Sequence, residues 1–111
     1  MVTVSLLLNV LVLVPVTWGL LRDATGMSEP FGPDSPARRI LVSVYLAILA
    51  VSLVLLLIPE GARAALVPGL LAMQVVYKLI TVPLVGLRNP VVMTNLAIVA
   101  VHAATLRSLF A

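Results

Sequence analysis

Cysteine is absent from the 111 residues, which excludes disulfides, thiolate metal sites and thiol redox chemistry and leaves the compartment open. Charge is scarce. Only 10% of residues are charged against 62% hydrophobic, where an average soluble domain carries roughly 25% and 45–50%. A soluble fold of this size would lack the polar residues to cover its surface. None of the four acidic residues falls inside an apolar run, and there is a single histidine, His102. No Ser-His-Asp set, paired-carboxylate site, phosphate-binding glycine loop or metal-spacing motif can be assembled from what remains. Hydrolytic and metal-dependent enzymes are thereby disfavoured, and no catalytic residue and no metal ligand is assigned. The net charge of +3 comes with seven basic residues, nearly all between apolar runs. No basic stripe with interleaved aromatics points to nucleic acid.

What is present in quantity is long apolar sequence. Four runs stand out: Val2–Leu21, Ile40–Ile58, Ala64–Leu87 and Val91–Phe110. A spanning helix needs roughly 20 mostly apolar residues, and each run suffices. The expected fold is all-α, a single-domain integral membrane antiparallel four-helix bundle over residues 1–111. Its helices fall at about 2–21, 37–58, 64–87 and 90–110. The first run has no preceding Lys or Arg, exceeds a typical signal-peptide core and lacks a small-x-small site after Trp18, so it reads as a retained helix. Pro15 is expected to bend it.

The segments between runs carry start and stop signals. Arg22–Arg39 is proline-rich and irregular, ending in Asp34-Ser35-Pro36. Ser35 or Asp34 suits the N-cap of the second helix and Pro36 its first turn. Pro59-Glu60-Gly61 reads as a tight turn joining helices two and three as an antiparallel hairpin. Asn89-Pro90 repeats the cap-and-proline logic for the fourth helix. Arg22, Arg38, Arg39 and Arg88 lie on one side, Arg63 and Arg107 on the other. By the positive-inside rule loops one and three face the cytoplasm and both termini lie outside, in a multi-pass protein of the cell inner membrane.

Counting at 1.5 Å per residue from the cytoplasmic ends places Asn9, Gln74 and His102 each about 18 Å up, in one layer near the midplane. Lys78, Asn95, Ser43, Tyr45 and Thr17 fall lower, at roughly 6–12 Å. Gln74, Lys78 and Thr81 share a helix face with Tyr77 alongside, and Asn95 and His102 share another. These residues are therefore candidates for a polar interior. Two readings stand beside each other. Interhelical polar pairs act as structural glue worth roughly 0.6 kcal/mol each, or the set around Lys78, Gln74, Tyr77, His102, Asn95 and Asn9 takes a ligand. Lys78 can snorkel to the interface, pair with Asp34, Asp23 or Glu29, or bind an anion. Arg38, Arg39 and Arg88, with Ser35 and Asn89 at two helix N-termini, form a second candidate set for a lipid headgroup or other anion. The alternative is ordinary topological charge against acidic lipids. Ala97, Ala100, Ala103 and Ala104, with Ala47 and Ser43, are expected to pack inside the bundle, where small side chains permit close approach.

In length and helix number the chain resembles the small multidrug resistance transporters, but it lacks the acidic residue in the first helix that their mechanism requires. The stretches GPDSPARRILVSVYLAI (Gly32–Ile48) and QVVYKLITVPLVGLRNP (Gln74–Pro90) resemble uncharacterised bacterial four-helix membrane proteins of the DoxX-like kind. That resemblance implies quinone-linked redox chemistry or an accessory role in a membrane complex. It assigns no numbered catalytic residue here. The leading expectation is a non-enzymatic accessory or scaffold subunit, without a cofactor, packing against lipid, other membrane subunits or itself. The alternatives are a small anion or amphiphile transporter around Lys78 and a quinone- or haem-binding redox component.

Overall fold

Helix boundaries in the computed structural model, which describes residues 1–23 and 27–110 with the side chain of Glu29 excepted, follow the caps and prolines. The elements are α1 (Val2–Leu21), α2 (Ser28–Phe31), α3 (Pro36–Leu57), α4 (Glu60–Val85) and α5 (Pro90–Phe110). Ser35, in an extended conformation, caps α3: its Oγ accepts from the Arg38 backbone N–H at 3.2 Å, and Pro36 opens the helix. Asn89 caps α5, its Oδ1 accepting from the Val91 N–H at 2.8 Å. Gly86 ends α4 at a φ of 107°, a conformation that glycine adopts without a Cβ penalty.

Three boundary expectations are corrected. Residues 59–61 are not a tight turn, because Glu60 and Gly61 already belong to α4 and only Ile58 and Pro59 separate the two helices. A glutamate in the first turn is favourable there, and α4 accordingly begins four residues earlier than 64 and stops at Val85. The first loop also contains α2, a single helical turn. Its Pro30 carbonyl accepts from Asn89 Nδ2 at 2.8 Å, and Phe31 meets the Tyr45 ring edge-on, with centroids 6.3 Å apart.

The four long helices form an up-and-down ring. α1 approaches α3 most closely and α4 approaches α5, with α1–α5 and α3–α4 completing the circuit. Asn9 beside Ser52 and Leu20 beside Arg38 make α1 antiparallel to α3, and Ser5 beside Thr105 makes it antiparallel to α5. The core is divided. Leu6, Leu55, Val67 and Leu71 form an apolar cluster near the end that holds both termini. Leu13, Leu20, Val42, Tyr45 and Ile48 form another nearer α2. Asn9 on α1 and Ser52 on α3 sit between the two clusters in sequence, so a polar layer separates them.

The expected alanine face is turned the other way. Ala47, Ala97, Ala100, Ala103 and Ala104 are all exposed, as is Ser43, whose hydroxyl donates to the Arg39 carbonyl of its own helix. The inward stripe of α5 is Val92, Asn95, Ile98, His102 and Thr105. His102 and Thr105 on that stripe find their cross-helix partners inside the bundle, and that demand fixes the rotation of α5.

Arg38 fastens the loop to the bundle. Only 3% exposed, it donates to the Gly32 carbonyl at 2.9 Å, the Leu20 carbonyl at 3.1 Å and Asp23 Oδ1 at 2.7 Å. Asp23 reaches it from a left-handed turn at φ 50° that stops α1. Arg63 does the equivalent work at the other end, donating from Nε to the Leu55 carbonyl at 2.8 Å and from Nη2 to the Leu56 carbonyl at 3.3 Å. Removing Arg38 strands two carbonyls, and hydrogen bonds to charged groups contribute about 1.5–3 kcal/mol. Arg38→Met is therefore expected to lower stability by about 2 kcal/mol in a reversible unfolding assay. Arg38→Lys should restore little, because an ammonium lacks the planar fork. Asp23→Asn should cost less than about 1 kcal/mol, its side chain being 54% exposed and surface pairs weak.

Candidate functional site

The polar layer is a chain of hydrogen bonds across three helices. Thr105 and Ser5 hydroxyls lie 2.7 Å apart, Ser5 Oγ is 3.0 Å from His102 Nδ1, His102 Nε2 is 2.9 Å from Asn9 Oδ1, and Asn9 Nδ2 donates to Ser52 Oγ at 3.1 Å. The amide of Asn9 gives the chain its direction. Its Nδ2 serves Ser52, so its Oδ1 must accept from His102 Nε2–H. In a neutral imidazole Nδ1 is then an acceptor, filled by the Ser5 hydroxyl, which in turn accepts from Thr105. Every one of these residues is at most 2% exposed.

The arrangement brings Asn9 and His102 together, as the depth count implies, and adds Ser5, Ser52 and Thr105, which sequence reasoning did not select. A usable signal existed. Ser5 lies four residues before Asn9 and Thr105 three after His102, positions that share a helix face. Gln74 is buried at 1% exposure, and its Nε2 is the one buried side-chain nitrogen or oxygen without a partner among the described residues. Thr17 and Thr81 leave the network, donating to the carbonyls of Leu13 and Lys78 on their own helices. Both ring nitrogens of His102 are engaged. An axial bond to haem would require one of these hydrogen bonds to break inside a closed layer, so the ring as arranged does not fit that role. Among the described residues no cluster of three or more His, Cys, Asp or Glu could hold a metal ion.

Below this layer, between α1 and α5, lies a cavity of about 180 Å³. Lys78, Asn95 and Asn9 supply its polar groups, with Tyr45 and Tyr77 beside them, while Val12, Val16, Val91 and Ile98 make apolar walls and Pro30 and Phe31 of α2 line one end. Lys78 is 4% exposed, so it does not snorkel to the surface. Pairing with Asp23 or Asp34 is also overturned: Arg38 holds Asp23 and Arg39 holds Asp34. The expected alternative of Glu29 lies outside the described side chains. Lys78 sits seven residues inside the end of α4, about 10 Å from it. An ammonium at such a depth in an apolar medium costs roughly 2.5–3.5 kcal/mol when it has no compensation.

No family model, no curated protein and no solved structure matches the chain. The site must be read from its own geometry.

The second candidate set is not one site. Arg38, Ser35 and Asn89 spend their polar groups on internal partners. Arg39 grips Asp34 through two 3.0 Å bonds at the surface, and Arg88 is exposed. The Arg39 guanidinium beside Asp34 holds its carboxyl below the usual aspartate value through those hydrogen bonds.

Two measurements follow from this geometry. A double-mutant cycle with Asn9→Leu and His102→Leu should give a coupling of about 1 kcal/mol, within the range up to about 1.7 found for interhelical hydrogen bonds; additive single costs would contradict a direct bond. A carboxyl NMR titration should place Asp34 below a free aspartate, and Arg39→Gln should return it to the ordinary range. Because the folded-state value is depressed, whatever stability the pair supplies is present at neutral pH. It is lost only as pH falls through that depressed value.

Proposed function

We propose that this chain is a multi-pass membrane protein acting as a non-enzymatic accessory or scaffold subunit, its outer surface packed against the membrane helix of another subunit. One observation carries the reading: the buried polar layer is turned inward while large apolar side chains cover the outside of α1, α3 and α4. Leu11, Ile40, Leu57 and Leu84 are 71%, 67%, 85% and 79% exposed. Water would oppose such a surface and hydrocarbon would accept it. All four long helices meet the length and composition for spanning, and the longest dimension, 41 Å, suits a bilayer of about 40–45 Å with its headgroups.

The choice of a helical neighbour over lipid alone rests on α5. Its Ala97, Ala100 and Ala104 are exposed on the outer side, and small outward residues let another helix approach closely. The arginine asymmetry orients the protein with loops one and three in the cytoplasm and both termini outside, in the cell inner membrane. The DoxX-like resemblance brings no residue role into this reading.

Native mass spectrometry of protein extracted in mild detergent tests the assignment. The expected result is a defined assembly larger than one chain, of two copies or with a different subunit. Ala97→Leu with Ala104→Leu should disperse it while leaving thermal stability within about 0.5 kcal/mol, because both positions are surface sites. A monomer from the native membrane, or an assembly indifferent to these changes, sinks the reading. Orientation is checked separately on the cysteine-free background. Ser28→Cys should react with an impermeant thiol reagent only from the cytoplasmic side and Gly61→Cys only from outside. The reverse pattern inverts the topology.

A further inference from the structure

We propose that the cavity between α1 and α5 is a binding site for a single-chain monoanionic amphiphile, a long-chain carboxylate, whose head meets Lys78 and whose tail leaves between the two helices. The inference uses the membrane reading only to place the tail and is independent of the subunit role.

Three features lead to it. The first is the disposition of polarity. Lys78, Asn95 and Asn9 gather at the inner side of the cavity, whereas Val16, Val91 and Thr94 belong to the partly or fully exposed flanks of α1 and α5. A ligand that fits this gradient has a polar head inward and an apolar body outward. The second is charge. Lys78 is the cavity's one cationic side chain, and both aspartates are engaged by arginines elsewhere. Glu60 begins α4, eighteen residues before Lys78 in the same helix, which at 1.5 Å per residue is about 27 Å away. A single cation matches a head with one negative charge, whereas a phosphate monoester approaching two charges would leave one uncompensated in a low-dielectric site. A carboxylate also presents acceptors only, and Lys78, the Asn95 amide and the phenols can all donate.

The third feature is size. Ligand sites for drug-sized molecules run to roughly 300–1,000 Å³, and 180 Å³ admits a head and the adjoining methylenes but not a two-chain phospholipid. α2 defines the inner end. Asn89 pins it through the Pro30 carbonyl, and Phe31 rests against Tyr45. α2 thus lies across the axial end, and the proposed exit is the lateral one between α1 and α5.

The test uses the full chain in nanodiscs with a photoactivatable diazirine palmitate as probe, followed by peptide mapping. Labelling is expected on the α1 segment around Val12–Val16 and the α5 segment around Val91–Ile98. Palmitate should compete about tenfold better than hexadecanol, which shares its chain but lacks the charge. Lys78→Met should abolish that preference, bringing acid and alcohol to equal competition, while Lys78→Arg keeps it. Glu29→Gln should leave the preference unchanged; if it raises palmitate competition to match an emptied ion pair, Glu29 is the resident counter-ion and the proposal falls. Hexadecyl phosphate should compete no better than palmitate, and a clear advantage for it would overturn the carboxylate assignment. Should Lys78→Met fail to fold, the acid-to-alcohol comparison on the unaltered chain still decides. Equal competition by the alcohol, or label spread evenly over outward positions such as Leu57 and Leu84, refutes the site.

Discussion

A buried hydrogen-bonding group must find its partner within the protein, and this constraint organises the bundle. An unpaired polar side chain in an apolar interior costs several kcal/mol. Ser5, Asn9, Ser52, His102 and Thr105 answer that cost collectively, each placed where the next can reach it. Because the bonds cross from α5 to α1 and from α1 to α3, they fix rotation and register together. Sliding α1 by one turn against α5 would break three contacts at once. The apolar clusters on either side fill space but tolerate slippage far better, since leucine packing is weakly directional.

The same constraint appears at the helix ends, where backbone groups lack partners. Arg38 takes up two carbonyls and Arg63 another two, so two of the six arginines act as structural clamps rather than free charge. A count of basic residues along the sequence treats all of them alike. In three dimensions Arg39 and Arg88 stay at the surface, and Arg38 is withdrawn. Lys78 departs from the pattern: a buried cation beside a cavity, with no hydrogen-bond or ion-pair partner among the described side chains and only the Tyr77 ring near its Nζ, 5.8 Å from the centroid. So does Gln74, whose Nε2 is left unpartnered. Residues that break a local rule without an internal compensation are where function is to be sought.

Much of this was legible in one dimension, for identifiable reasons. Helix positions followed from apolar length bounded by proline and cap residues, signals that act within a few residues of themselves. The meeting of Asn9 with His102 followed from equal depth, because helix rise is constant. What failed were judgements about facing. Ala97, Ala100 and Ala104 were expected inside on the grounds that small residues permit close approach, yet they lie outside. Smallness states a possibility, whereas the hydrogen-bonding demand of His102 and Thr105 exerts a force, and the force set the rotation of α5. Glu60 and Gly61 read as a turn because glycine after proline often is one; the favourable glutamate at a helix start prevailed.

The sequence by itself determined an all-helical chain with four membrane-length apolar helices, a cap and proline at the starts of α3 and α5, and a thin population of polar residues near mid-height. Those properties are local, set by composition, periodicity and the fixed rise of the helix. Only the tertiary structure decided the partners. It showed that His102 spends both nitrogens on Ser5 and Asn9, that Arg38 belongs to the loop, and that Lys78 borders a cavity instead of the surface. Partnership depends on the azimuth of each helix, and azimuth is set by the sum of all contacts around the ring. No single segment carries that information.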